Sequence, residues 1–263
     1  MARAFVGTSG WNYKEWRGDF FPEDLPRKRW LDFYASRFDS VEINYTFYRL
    51  PSKETCEAWY RQTPARFRFA VKASRYITHI RRLREARKAW NEFLQRVLAL
   101  EEKLGVILLQ FPSNFEASES NLQSVEEFLE YAGGAASPRL AFEFRNQSCF
   151  GSEMVTILRK YRAAMVIPQS SKYPVPEDTA TSDFAYFRFH GPKEMFASSY
   201  SAADVRRWTQ TIRRVLEKRR DVYVYFNNDM GGHAPRNAQS LHEQIETGRR
   251  RSIGCKLTVA DST

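Results

Sequence analysis

Two carboxylates interrupt apolar runs in this chain: Glu42 in Val41-Glu42-Ile43-Asn44, and Glu143 in Ala141-Phe142-Glu143-Phe144-Arg145. A carboxylate drawn out of water must be paired, hydrogen-bonded or protonated, because a bare buried charge costs several kcal/mol. Lys72, Arg145 and Arg188 close or follow other apolar runs and are the available partners. Two readings follow. In one, Glu42 and Glu143 are general acid and base while the cations hold an anionic substrate. In the other, the same charges form a structural ion-pair network that catalyses nothing.

His190 follows an apolar run as His190-Gly191-Pro192, which suits a proton shuttle, and a glycine there would let backbone approach a ligand. His190 with Glu42, Glu143 and Asp229 could offer oxygen-rich metal ligands, but no HxH or HExxH spacing supports a metal. No cofactor is required by these residues. Substrate-binding candidates are the polar or aromatic residues at or just past the ends of the apolar runs: Ser9, Trp11, Tyr13, Asn44, Lys72, His79, Gln110, Arg145, Arg188, Asn227 and Asn228. The aromatic and basic stretch from Trp11 to Trp30 could stack a sugar or base, or fold over the site as a plug.

Elements that could bring these residues together are legible in the apolar pattern. Short β-rich runs occur at Phe5–Thr8, Ser40–Ile43, Phe67–Val71, Val106–Leu109, Leu140–Phe144, Ala163–Ile167, Phe184–Phe189 and Val222–Phe226. Between most of them, apolar residues return every three or four positions, the mark of a helix with one buried stripe. One stripe reads Leu83, Ala86, Trp90, Phe93, Leu94, Val97, Leu100, Leu104. Another, Leu122 to Ala132, stops at Gly133-Gly134, where a left-handed C-cap is expected. A third, Val205 to Leu216, opens on Ser201 with Asp204 three residues on, a carboxylate variant of the capping box. Eight strands alternating with helices predict an α/β fold of the (β/α)8 TIM-like barrel kind, whose C-terminal strand ends share one rim. Pro174 and Pro176 predict an irregular loop in place of the helix between strands six and seven. A single domain spanning 1–263 is expected, with its core at about 5–247 and a basic tail at 248–263.

The net charge is +10, with positive charge gathered in residues 1–110 and 184–263. That imbalance favours an anionic partner, either a small substrate or a nucleic acid. Arg75, Arg81, Arg82, Arg84, Arg87 and Lys88 follow the third run and would lie near the rim. Cys56, Cys149 and Cys255 form no CxxC pair, so neither a disulfide framework nor a zinc knuckle is expected. The start of the chain turns polar at once and no apolar run reaches 18 residues, so a cytoplasmic location without membrane insertion is expected.

The motifs also carry a family likeness. Gly7-Thr8-Ser9-Gly10-Trp11 with Tyr13 and Trp16, Val41-Glu42-Ile43-Asn44 with Thr46-Phe47-Tyr48, Lys72 with Thr78-His79, Gln110-Phe111-Pro112, Glu143-Phe144-Arg145, His190-Gly191 and Tyr225-Phe226-Asn227-Asn228 occur in that order. From about Phe5 to Leu241 the chain resembles the YecE-like family, domain of unknown function 72. That resemblance implies a TIM barrel and no particular reaction. It departs after the fifth strand, where members tend to read Glu-Phe-Arg-His then Ser-Trp and this chain has Asn146 and Cys149. The expectation is an enzyme acting at the rim on a phosphorylated or sugar-containing anion by carboxylate acid/base chemistry. The alternative is a nucleic-acid-binding protein using the basic and aromatic rim loops. Oligomeric state is not legible.

Overall fold

The computed structural model describes residues 2–133, 137–174 and 180–260, with only the backbone described beyond residue 247. The first strand, β1 (Ala4–Thr8), precedes β2 (Ser40–Ile43), β3 (Arg68–Lys72), β4 (Leu104–Gln110) and β5 (Arg139–Glu143). Then come β6 (Ala164–Met165), β7 (Ile167–Gln169), β8 (Phe184–Phe189) and β9 (Asp221–Phe226). Every pairing is parallel, in two sheets ordered β1-β9-β8-β7 and β2-β3-β4-β5-β6.

The sixth expected run is thus two strands on either side of Val166, one pairing with β5 and the other with β8. One chain segment therefore spans the gap between the sheets, and Val166 donates its N–H to Phe142 O at 2.9 Å. At the other seam, Gly10 donates its N–H to Glu42 O at 2.7 Å and Ser9 bridges Glu42 in parallel. The strand order is that of a TIM-like (β/α)8 fold.

Helices α1 (Trp30–Arg37), α2 (Tyr45–Tyr48), α3 (Lys53–Arg61), α4 (Arg87–Val97), α5 (Glu119–Ala132), α6 (Ser152–Lys160), α7 (Ala202–Glu217) and α8 (His233–Ala260) lie between or after the strands. The last one takes in most of the basic 248–263 stretch. Helix α4 is shorter than its apolar stripe. Leu83 adopts a φ of 69° in the preceding turn, Glu101 breaks the geometry at φ 47°, and Leu104 already belongs to β4. The stripe is buried throughout its first seven positions or packed against the core, but turn residues supply part of it.

Gly133 follows helix α5 in extended geometry, φ −88° and ψ 169°, so it is not itself the expected left-handed cap. Glycine is needed for room instead, since a Cβ there would come 2.6 Å from Leu129 O. Gly134 lies outside the described residues. The capping box of α7 is formed in full, with Ser201 Oγ accepting from Asp204 N and the Asp204 carboxylate accepting from Ser201 N. Ser201→Ala should cost about 1 kcal/mol in urea-induced unfolding; no measurable loss would mean the cap contributes nothing. Among the described residues no helix separates Gln169 from Phe184. Pro174 belongs to that irregular stretch, and Pro176 lies outside the described residues.

Alternate strand residues face opposite ways, and the two faces form separate clusters. Outward residues such as Val41, Val71, Leu109, Phe142 and Phe187 pack beneath the helices. The other face holds Phe5, Ala70, Val106, Leu108, Ala141 and Tyr186, among others. Continuing the same parity toward the C-terminal strand ends gives Glu42, Lys72, Gln110, Glu143, Arg188 and Asn227, so the inner face changes from apolar to ionisable along its length. No helix of the described residues is long and apolar enough to cross a membrane.

Candidate active site

Arg188 is the hub of the inner face. Its Nε donates to Glu42 Oε2 at 2.9 Å, Nη2 to Glu42 Oε1 at 2.7 Å, and Nη1 to Glu143 Oε2 at 2.5 Å. Both carboxylates are fully buried. Glu42 also accepts from Ser9 Oγ and from Tyr186 Oη, the latter at 2.6 Å. Burial alone would raise the Glu42 pKa; the Arg188 charge and these hydrogen bonds outweigh it and hold the group ionised below the usual range. Glu143 is likewise held well below its usual value, burial being overcome by Arg188, His190 and Arg145. Both groups therefore sit as anions that share one guanidinium, with Arg145 3.4 Å from Glu143 as a second cation. The strands carrying Glu42 and Arg188 are not neighbours, so the contact crosses the inner space from β2 to β8.

His190 is buried and its Nδ1 lies 3.0 Å from Asn227 Nδ2. With the amide nitrogen donating, a neutral ring carries its proton on Nε2, which faces Glu143 Oε1 at 3.6 Å, beyond hydrogen-bond distance. Burial lowers its pKa, with Glu143 opposing, so the ring is neutral near pH 7. Arg145 has a 3.4 Å contact to Glu143 and stacks its guanidinium 4.5 Å from the centre of the Tyr173 ring. Its Nη1 also donates to Tyr173 Oη at 3.5 Å, and Nη2 donates no hydrogen bond among the described residues.

Lys72 differs from these. Its Nζ lies 4.0 Å from the centre of the Phe47 ring, and burial, aided by Arg188, brings its pKa down to about 7 against the pull of Glu143 and Glu42. His79 also packs edge-on with Phe47, ring centres 4.9 Å apart; burial and the Lys72 charge push its pKa down to about 4. Gln110, at the end of β4, turns its amide to Phe111 O at 2.9 Å.

A second set of residues meets at the β1 and β2 ends. Tyr13 Oη donates to Ser9 O at 2.7 Å and lies 3.1 Å from Asp229 Oδ2, while Trp16 Nε1 donates to Asp229 O at 3.2 Å. The other Asp229 oxygen is buried without a hydrogen-bond partner among the described residues, and burial raises this carboxyl to about 7. Next to it, Trp11, Tyr13, Asn44, Tyr45 and Trp59 line a cavity of about 330 Å³. Asn44 Oδ1 is another buried atom without a hydrogen-bond partner among the described residues.

Some expected residues lie elsewhere or are otherwise engaged. Asn228 directs its amide to Ser198 O and Asn237 Oδ1, bracing the segment before α7 against α8. Gly191 has a φ of 109°, but the space a Cβ would need is filled by Glu194 O at 2.4 Å, so its own loop and not a ligand makes the close approach. Trp16, Phe21 and Trp30 are core residues, leaving Trp11 and Tyr13 as the cavity-facing aromatics of their stretch. Arg81, Arg82 and Arg84 are tied to Glu85, to Asn114, and to Ser120 and Asn121 respectively. Asn146 caps the short turn after β5 by accepting from Ser148 N at 3.1 Å, and Cys149 Sγ donates to Phe115 O, so the two atypical positions serve the loop. Cys56 and Cys149 are free and buried, and Cys255 lies outside the described side chains. Among the described residues no group of three or more His, Cys, Asp or Glu is arranged to hold a metal ion.

Residues 5–258 match the family model described as protein of unknown function DUF72. The chain belongs to the DUF72 family. This is the YecE-like family that the motif order implied. Its DUF72 relatives include the UPF0759 protein YunF of Bacillus subtilis, 24% identical with 92% of this chain and 94% of that protein covered. The UPF0759 protein YecE of Escherichia coli is 32% identical over 49% of this chain and 44% of its own. A solved DUF72 family protein from Thermotoga maritima superposes with a TM-score of 0.82 at 30% identity, covering 93% of this chain and 99% of that one.

The sequence marked Asp229 only as a possible metal ligand and did not single out Tyr186. Both had a signal: Asp229 closes Asn227-Asn228-Asp229 just past β9, and Tyr186 sits two residues before Arg188 on the same strand face.

Proposed function

We propose that this DUF72 protein is an enzyme that binds a small anionic substrate, phosphorylated or carboxylated, at the C-terminal rim, with Lys72 and Asp229 as the proton-transfer groups. Glu42 and Glu143 then serve as fixed anions that orient Arg188. The observation that carries this reading is the unpaired Lys72 amine beside paired charges: Arg188 takes both nearby carboxylates, and Lys72 pairs with none among the described residues. A group titrating near neutrality suits proton transfer in either direction, and burial brings both Lys72 and Asp229 to about 7. Arg145, whose Nη2 donates no hydrogen bond among the described residues, supplies a charged donor for the anion.

Calorimetric titration with phosphate, sugar phosphates and small carboxylates tests the reading. Binding is expected, and Arg145→Met should weaken it by about tenfold, the equivalent of about 1.4 kcal/mol. Absence of binding at millimolar concentrations of every anion would remove this proposal. Single-stranded DNA and RNA in the same assay at two salt concentrations test the nucleic-acid alternative, whose affinity must fall steeply with salt.

A further inference from the structure

We propose that Lys72 forms a covalent imine with its substrate, so that the ligand of this site is a small anionic aldehyde or ketone. This rests on the anionic-substrate reading above and narrows it to one class of compound.

Lys72 closes β3 on the inner face and retains 9% of its surface. Thr46 Oγ1 donates to its carbonyl at 2.6 Å, which fixes the backbone from which the amine projects. Among the described residues Nζ donates no hydrogen bond and makes no ion pair; its close neighbour is the Phe47 ring. The chain also contains a buried lysine with a purely structural setting, and the contrast is informative. Lys103 Nζ donates to Tyr60 O and Thr63 O, both at 2.6 Å. A lysine that only braces the fold is satisfied in that way, whereas Lys72 is held in place with its nitrogen left open. Burial supplies the remaining requirement, since a pKa of about 7 leaves much of the amine unprotonated at neutral pH.

The step balances without an outside oxidant or reductant. The Nζ lone pair attacks the carbonyl carbon, and the oxygen takes one amine proton to give a carbinolamine. The C–O bond then breaks, the oxygen leaves as water with the second amine proton, and a neutral imine is left. Protonation makes it an iminium that draws electrons from an adjacent C–H or C–C bond. Arg145 is placed to hold the carboxylate or phosphate of the ligand.

Borohydride trapping tests the inference. The whole protein is incubated with pyruvate, and separately with dihydroxyacetone phosphate, then reduced with sodium borohydride and analysed by intact mass and peptide mapping. Expected is a mass gain equal to the carbonyl compound less one oxygen atom, on the peptide holding Lys72. It should be absent from Lys72→Arg and from Lys72→Met. An adduct missing from the wild-type protein with both probes, or spread over other lysines and unchanged in both variants, overturns the inference. Calorimetry separates the failures: binding of either probe without an adduct overturns the imine alone, and neither binding nor adduct, with phosphate, sugar phosphates and small carboxylates also unbound, overturns the anion site as well.

Discussion

Arg188→Met is expected to lower the unfolding free energy by about 3–5 kcal/mol, a large share of the 5–15 kcal/mol typical of a folded domain. The guanidinium is 1% exposed and supplies three short hydrogen bonds to two fully buried carboxylates. Without it, Glu42 keeps Ser9 and Tyr186, but Glu143 keeps only the longer contacts to Arg145 and His190. Two like charges would then share a dry space. The pH dependence should also invert. In the wild-type protein both carboxylates titrate below their ordinary values, so their stabilisation is present above the unfolded pKa of 4.5 and is lost as pH falls through the folded values. In Arg188→Met, burial dominates and raises both groups, so stability should recover as acid neutralises them. Adding Glu42→Gln and Glu143→Gln should restore part of the loss at neutral pH. Urea unfolding at two pH values measures all of this; a variant within about 0.5 kcal/mol of wild type would show that the network carries little of the fold's stability.

Asp229→Asn should stabilise the protein above neutral pH and leave it nearly unchanged in acid. Burial raises this carboxyl from 3.8 to about 7, with the Tyr13 hydrogen bond and Arg188 opposing. Between those values the folded state binds more protons than the unfolded one, so stability falls as pH rises through the window. At about 1.4 kcal/mol per unit, the penalty present above pH 7 is at most about 4 kcal/mol. An asparagine keeps an oxygen for Tyr13 Oη and carries no charge to desolvate. The measurement is the unfolding free energy of both proteins at about pH 4 and about pH 8. A difference between variant and wild type that does not grow over that interval would mean Asp229 is ionised at an ordinary pKa, and its role as a proton-transfer group would fall with it. The same substitution should reduce turnover once a substrate is identified, so stability gained and activity lost would come from one carboxyl group.

How far the chain could be read in advance varies along it. The eight apolar runs marked the strands to within a residue or two because a parallel strand covered by helices must be apolar on both faces. The helix α4 stripe ran too long because periodicity cannot distinguish a buried turn residue such as Leu83 from a helical one. The sixth run divided at Val166 because its partner changes there from β5 to β8, a matter of neighbours that are distant in the chain.

The candidate site divides in the same way. Residue types and the two-residue period of the strands were enough to determine that Glu42, Lys72, Glu143 and Arg188 occupy C-terminal strand ends and that their charges must meet, since buried carboxylates need partners. Which cation they meet was decided only by the tertiary structure. Arg188 reaches Glu42 and Glu143 together, Lys72 is left beside an aromatic ring, and Asp229 is covered by Tyr13 and Trp16. Pairing turns on separations of a few ångströms across the inner space, and these depend on strand order and stagger, which no local stretch of residues encodes.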